Sequence, residues 1–176
     1  PAIDFVPLIP PRGFLDDMDP RKRRYIGEDV RRIAHAYGLE LRWPDPFDTE
    51  WLRPHAAFLH AVDAGAGIPF GAAVFRARFS EGRDVGDAAV LRDAAAVAGL
   101  EPEAIVAAGD SRALRSRIIA GMRSIKEEGV FGVPYFVYRG RAYWGNDRLE
   151  WLLRDVGEQL GRSSPDLRLD PLARPF

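Results

Sequence analysis

Residues 129–150 read G-V-F-G-V-P-Y-F-V-Y-R-G-R-A-Y-W-G-N-D-R-L-E, and no other stretch leaves the chain so few ways to fold. Gly129 can end a preceding helix in the left-handed conformation, and Gly132 permits a second sharp turn. Pro134 has no N–H to give a sheet ladder, so it belongs at the first residue of a strand or on an edge. It opens a run of β-formers, Tyr135-Phe136-Val137-Tyr138, which Arg139-Gly140 closes with a tight turn. Residues 141–144 return as the second arm of a hairpin. Gly145-Asn146-Asp147 then leads into a helix, with Asp147 and Glu150 at capping-box spacing. That helix carries Leu149, Leu152, Leu153, Val156 and Leu160 on one face and stops at Gly161.

Upstream, residues 2–9 form a short apolar strand that Pro7, Pro10 and Pro11 restrict to an edge or a bulged end. Asp19-Pro20 starts a helix that is expected to bury Ile26, Val30, Ile33, Ala34 and Tyr37 and to end at Gly38. From Asp48 the chain turns helical for a long way. Trp51, Phe58, Leu59 and Val62 mark one helix, and Phe70, Val74, Phe75, Ala77 and Phe79 the next. A third is marked by Val90, Leu91, Ala94 and Ala98, capped by Asp87 and closed by Gly99. Residues 102–108 add a short helical turn, and residues 111–128 a longer helix burying Leu114, Ile118, Met122 and Ile125. Composition alone would give a mostly helical α+β chain.

Charge narrows the function classes. With 25 basic and 26 acidic side chains in 176 residues the net charge is −1, so no global field selects nucleic acid or a membrane surface. No apolar run is long enough to span a bilayer, and nothing present argues for secretion, so a cytoplasmic location is expected. Cysteine is absent, which removes disulfides and any thiol of the chain's own. His35, His55 and His60 share no metal-ligand spacing, and no metal site is expected.

G-V-F-G-V-P-x-F, a short hairpin and W-G-x-D-R-L-E resemble the C-terminal half of the DsbA-like branch of the thioredoxin fold. Within it the sequence is most similar to 2-hydroxychromene-2-carboxylate isomerases and the related kappa-class glutathione transferases. The resemblance implies an α/β, thioredoxin-like fold with an all-helical insertion. Residues 1–18 and 111–161 would form the thioredoxin-like domain, 19–110 the insertion and 162–176 an extended C-terminal tail. The opening strand and helix of the fold are expected to lie upstream of Pro1. So is the family's catalytic serine, since Ser80, Ser111, Ser163 and Ser164 fall at no corresponding place.

The same resemblance implies a glutathione-dependent isomerase acting on a small aromatic substrate, with homodimer formation a family expectation. A cis Val133-Pro134 bond would expose the Val133 N–H and C=O together as a two-point dock for glutathione. Asn146 and Asp147 would hold its γ-glutamyl end, and Lys22, in a P-x-K start to the first helix, would meet a carboxylate. Tyr135 and Trp144 would wall the substrate pocket. The thiolate would add reversibly to an aromatic hydroxy acid, open its ring and leave after bond rotation. The residues themselves leave plainer readings open. Asn146 and Asp147 are also ordinary capping residues, and Arg21, Lys22, Arg23 and Arg24 also read as a solvated basic face. The loop at 13–19 lacks the asparagine that helps hold glutathione in the family. A DsbA-like thiol–disulfide oxidoreductase, which needs Cys-x-x-Cys upstream, and a non-enzymatic peptide-docking domain are the alternatives.

Overall fold

The structure, a computed structural model, describes residues 17–161; the expected strand at 2–9 and the tail at 162–176 lie outside them. Contacts divide the chain into two compact units between Met122 and Arg123.

In the first unit Asp19 caps α1 (Pro20–Ala36), its carboxylate accepting the Arg21 amide at 2.8 Å with Pro20 at the first helical position. The next helices are α2 (Leu52–Asp63), α3 (Gly67–Phe79), α4 (Ala88–Val97) and α5 (Pro102–Asp110). Small residues on α2 and α4 let them approach closely, so α2 packs on α3 and α5 while α4 packs on the same two. Ala57, Ala61, Phe70, Leu91, Ala95 and Ile105 are sealed at 0% exposure in the core between them. Each large side chain buried this way contributes roughly 1.5–3 kcal/mol. A second cluster joins Ala56 and Leu59 of α2 to Ile118 of α6 (Arg112–Glu127).

The ends of these helices are tied by charge. Asp87 caps α4 through the Ala89 amide at 2.9 Å, and Glu101 caps α5 through the Ala104 amide at 2.7 Å. The Thr49 hydroxyl donates to Asp84, which also receives the Gly86 amide at 2.9 Å. Arg53 reaches the Gly86 carbonyl and Asp110, both at 2.9 Å, closing the start of α2 against the end of α5. Ser111, as expected of a cap, receives the Leu114 amide at 3.4 Å at the start of α6.

One helix departs from expectation. Of the five residues of α1 and its C-cap expected inside, Ala34 alone is buried, while Ile33 is 49% exposed and Ile26, Val30 and the C-cap Tyr37 are each 36% exposed. α1 makes no extensive contact with another described helix, so its apolar stripe finds little to pack on among the described residues. Phe75, marked as a packing residue of α3, is likewise exposed.

In the second unit β1 (Tyr135–Tyr138) pairs antiparallel with β2 (Arg141–Trp144), Tyr135 opposite Trp144 and Tyr138 opposite Arg141. The two-residue turn has φ of 50° at Arg139 and 77° at Gly140, the twist that suits a tight hairpin. Phe136, Tyr138 and Tyr143 are half-buried on one face, and α7 (Leu149–Gln159) packs against β2. There the Tyr143 hydroxyl and Arg141 (2.9 Å) both donate to Asp155. Those two bonds, the tyrosine's first, hold the Asp155 carboxyl below its ordinary pKa.

The capping box does not form. A 3-10 turn at Asn146–Arg148 separates Gly145 from α7, whose N-cap is Arg148 and which has no side-chain cap. Gly145 takes φ 103° and its carbonyl receives the Arg148 amide at 3.1 Å, so the chain tightens before the α-helix begins. That displaces Asp147 from the capping position.

Candidate functional site

The hairpin unit holds most of the residues that the sequence marks for ligand binding. The Val133-Pro134 peptide bond is cis, and so is Asp45-Pro46. Val133 is 59% exposed, and its amide and carbonyl make no hydrogen bond to another described residue. The Pro134 carbonyl receives the Gly145 amide at 2.9 Å. That bond extends the hairpin ladder past Trp144 and pins the Asn146–Asp147 turn beside Val133-Pro134.

Asn146 is exposed and takes no side-chain partner among the described residues. Asp147 pairs with its neighbour Arg148 at 2.7 Å, with both side chains largely in solvent, so the pair is easily opened. Gly145 sits at φ 103°, a backbone conformation that favours glycine, and a Cβ there would also come within 2.5 Å of an Asp147 carboxylate oxygen. Arg148 thus acts as the intrachain ion-pair partner that its position suggests.

Tyr135 and Trp144 come together on the outer face, as cross-strand partners. Sequence reasoning missed the residue that joins them. Phe131 meets Trp144 edge-on with ring centroids 4.9 Å apart and Tyr135 at 5.6 Å. Spacing gave no signal for it: Phe131 and Tyr135 flank the Gly132-Val133-Pro134 bend, but Trp144 is brought to them by the hairpin. Gly132 makes their approach feasible, since a Cβ there would lie 2.6 Å from Trp144 Nε1. Phe131 (67%) and Trp144 (53%) remain well exposed, giving this unit a solvent-facing aromatic corner.

Lys22 lies in the other unit, exposed in the first turn of α1, and its ammonium makes no ion pair with another described residue. Its neighbour Arg21 is held by Asp19 at 2.7 Å. That hydrogen bond keeps the Asp19 carboxyl below its usual range, which offsets part of the cost of crowding cations at a helix N-terminus.

A DSBA-like thioredoxin domain model matches residues 2–157. The chain belongs to that family. Within the family, it is 29% identical over 132 residues to a 2-hydroxychromene-2-carboxylate isomerase of Sphingobium xenophagum, covering 74% of this chain and 66% of that protein. The chain therefore spans just under two thirds of its curated relative's length. Among solved structures, a 2-hydroxychromene-2-carboxylate isomerase matches with a TM-score of 0.65 at 23% identity, over 88% of this chain and 78% of the other. A candidate protein disulfide isomerase of Nitrosomonas europaea matches at 0.60 and 22% identity, over 81% and 76%. At such identities the structural likeness is one of fold. In this DSBA-like chain, no described helix is long and apolar enough to cross a membrane.

Proposed function

We propose that this chain carries the glutathione-docking part of an isomerase of the 2-hydroxychromene-2-carboxylate type, acting on a small aromatic compound. One observation supports it most: the 2.9 Å bond from the Gly145 amide to the Pro134 carbonyl sets the Asn146–Asp147 turn beside the backbone of Val133, which no other described residue hydrogen-bonds. An extended γ-glutamyl peptide needs both a pair of backbone hydrogen bonds and a polar end-group site, and they adjoin here.

The residues fit glutathione in kind. Val133 offers an N–H and a C=O to the cysteinyl segment. Asp147, its exposed pair with Arg148 opened, can receive the γ-glutamyl ammonium, while Asn146 can donate to the γ-glutamyl carboxylate. Phe131, Tyr135 and Trp144 offer apolar walls to an aromatic substrate. Lys22 is the proposed partner of a further carboxylate. Glutathione would supply the thiol, which none of these 176 residues carries. The chain's own task is then to hold that thiol and to orient it. The family resemblance implies a dimer, and a dimer is proposed here too.

Calorimetric titration with reduced glutathione tests the reading, on this chain and on any longer natural form. Micromolar binding that weakens about tenfold or more in Asp147→Ala is the expected result. The longer form should then isomerise 2-hydroxychromene-2-carboxylate, followed by its ultraviolet spectrum. Failure of both forms to bind glutathione overturns the proposal.

A further inference from the structure

The helical unit contains a cavity of about 350 Å³ that the glutathione reading does not use. Its walls include Trp51, Phe58, Leu59, Phe70, Val74 and Phe79, and its size falls in the range of small-molecule pockets. Phe75, also in the wall, is 68% exposed. Into this apolar lining α3 places an arginine. Arg78 is 3% exposed, yet among the described residues its Nε and Nη1 have no hydrogen-bond acceptor and it forms no ion pair. Its Nη2 donates to the Phe47 carbonyl.

The guanidinium is held in place by rings rather than by counter-charge. It lies 4.4 Å from the centroid of Trp51, 5.4 Å from Phe79 and 5.6 Å from Phe47. Such stacking offsets the charge but satisfies no N–H donor. Asp84 and Asp48 stand near enough to favour the charged form, though burial outweighs them and lowers the pKa. Both carboxylates are engaged elsewhere. Asp84 receives Thr49 and the Gly86 amide, and Asp48 receives the Thr49 amide at 3.1 Å and Trp51 Nε1 at 2.9 Å. His55, in the same wall, donates from Nδ1 to the Trp51 carbonyl at 2.6 Å, which leaves Nε2 as an acceptor.

A buried cation with unmet donors in an apolar cavity is costly unless an anion completes it. We infer that this cavity is a binding site for a flat, apolar monocarboxylate, with Arg78 receiving the carboxylate and the aromatic wall receiving the body. The carboxylate can take Nη1, or Nε, together with the second Nη2 hydrogen, the two-bond geometry that guanidinium favours. A single negative charge balances Arg78. A phosphate dianion would leave an excess charge against apolar side chains, which disfavours it. Every residue of the site lies in the helical unit, so the inference stands or falls independently of glutathione binding.

The test is calorimetry on the 176-residue chain with 2-naphthoate and its neutral isostere naphthalene-2-carboxamide. Naphthoate should bind about tenfold or more tightly than the carboxamide. Arg78→Met should abolish that preference while leaving carboxamide binding within about twofold. Should that variant fail to fold, the wild-type comparison of acid and amide still decides. Equal affinity for the two probes, no binding of millimolar naphthoate, or naphthoate binding unchanged in Arg78→Met would each overturn the inference.

Discussion

The core between α2, α3, α4 and α5 and the hairpin unit use aromatic and aliphatic side chains in opposite ways. Between α2, α3, α4 and α5 the large residues are sealed: Phe70, Leu91 and Ile105 have no exposure. On the hairpin, Phe131, Val133, Val137 and Trp144 are all more than half exposed. The core of α2, α3, α4 and α5 encloses its large side chains, while most of the apolar stripe of α1 and Phe75, in the same unit, stay exposed. The hairpin keeps much of its apolar surface facing outward, where a ligand or another segment can use it.

Substitutions can break that comparison. The largest effect is expected from Leu91→Ala, which removes a fully enclosed side chain and should cost roughly 2–5 kcal/mol in urea denaturation. Trp144→Ala removes a bigger side chain but should cost only about 0.5–1.5 kcal/mol, the worth of an aromatic pair. If the tryptophan costs as much as the leucine, the contrast between core and hairpin is wrong.

Next in size is Gly132→Ala. Its new Cβ would meet Trp144 Nε1 at 2.6 Å, so the indole must move, at a cost no larger than the about 0.5–1.5 kcal/mol of the aromatic pair and with a shift in tryptophan fluorescence. An unchanged emission spectrum would show that the corner is looser than its ring contacts imply.

Helix starts sharpen the comparison on a smaller scale. Asp87→Ala removes the cap of α4 and should cost about 1 kcal/mol in the same denaturation assay. Glu150→Ala should change stability by no more than about 0.5 kcal/mol, because α7 has no side-chain cap to lose. A loss at Glu150 equal to that at Asp87 would restore the capping box.

The smallest effect expected is a pH response confined to the helical unit. Burial lowers the His55 pKa, outweighing its bond to the Trp51 carbonyl and the nearby Glu50, both of which raise it. As pH falls through about 6.5 the unfolded chain takes up the proton first. Stability is therefore full above that value and is lost as pH falls toward and through the folded pKa. Melting temperature followed from pH 8 to pH 5 should show this decline, and His55→Gln should flatten it.

Much of the candidate site was legible in the chain because its signals are local. Gly129, Pro134, Arg139-Gly140 and Gly145 each restrict their own backbone, so the hairpin and its turns follow from consecutive residues. The Asp19 and Asp87 caps are local in the same way. At Asp147 the local rule misled, since capping spacing cannot distinguish an α-helical first turn from a 3-10 turn placed before it. Phe131 went unread because its partner across the bend is fixed by the hairpin register, not by spacing.

Arg78 marks the limit most clearly. Phe70, Val74 and Arg78 recur at four-residue steps on α3, so the sequence by itself places a cation on that helix's apolar stripe. Spacing determines which face a residue shares. It does not determine what is brought against that face. Whether Arg78 reaches solvent or is enclosed was decided by the return of residues 47–51 across α3, which supplies the Phe47 carbonyl and the Trp51 ring. Those contacts join residues about thirty positions apart, and a periodicity within one helix carries no information about them. The hairpin, caps and helix order were thus set by short-range backbone preference, while the buried cation and its cavity were set by long-range packing alone.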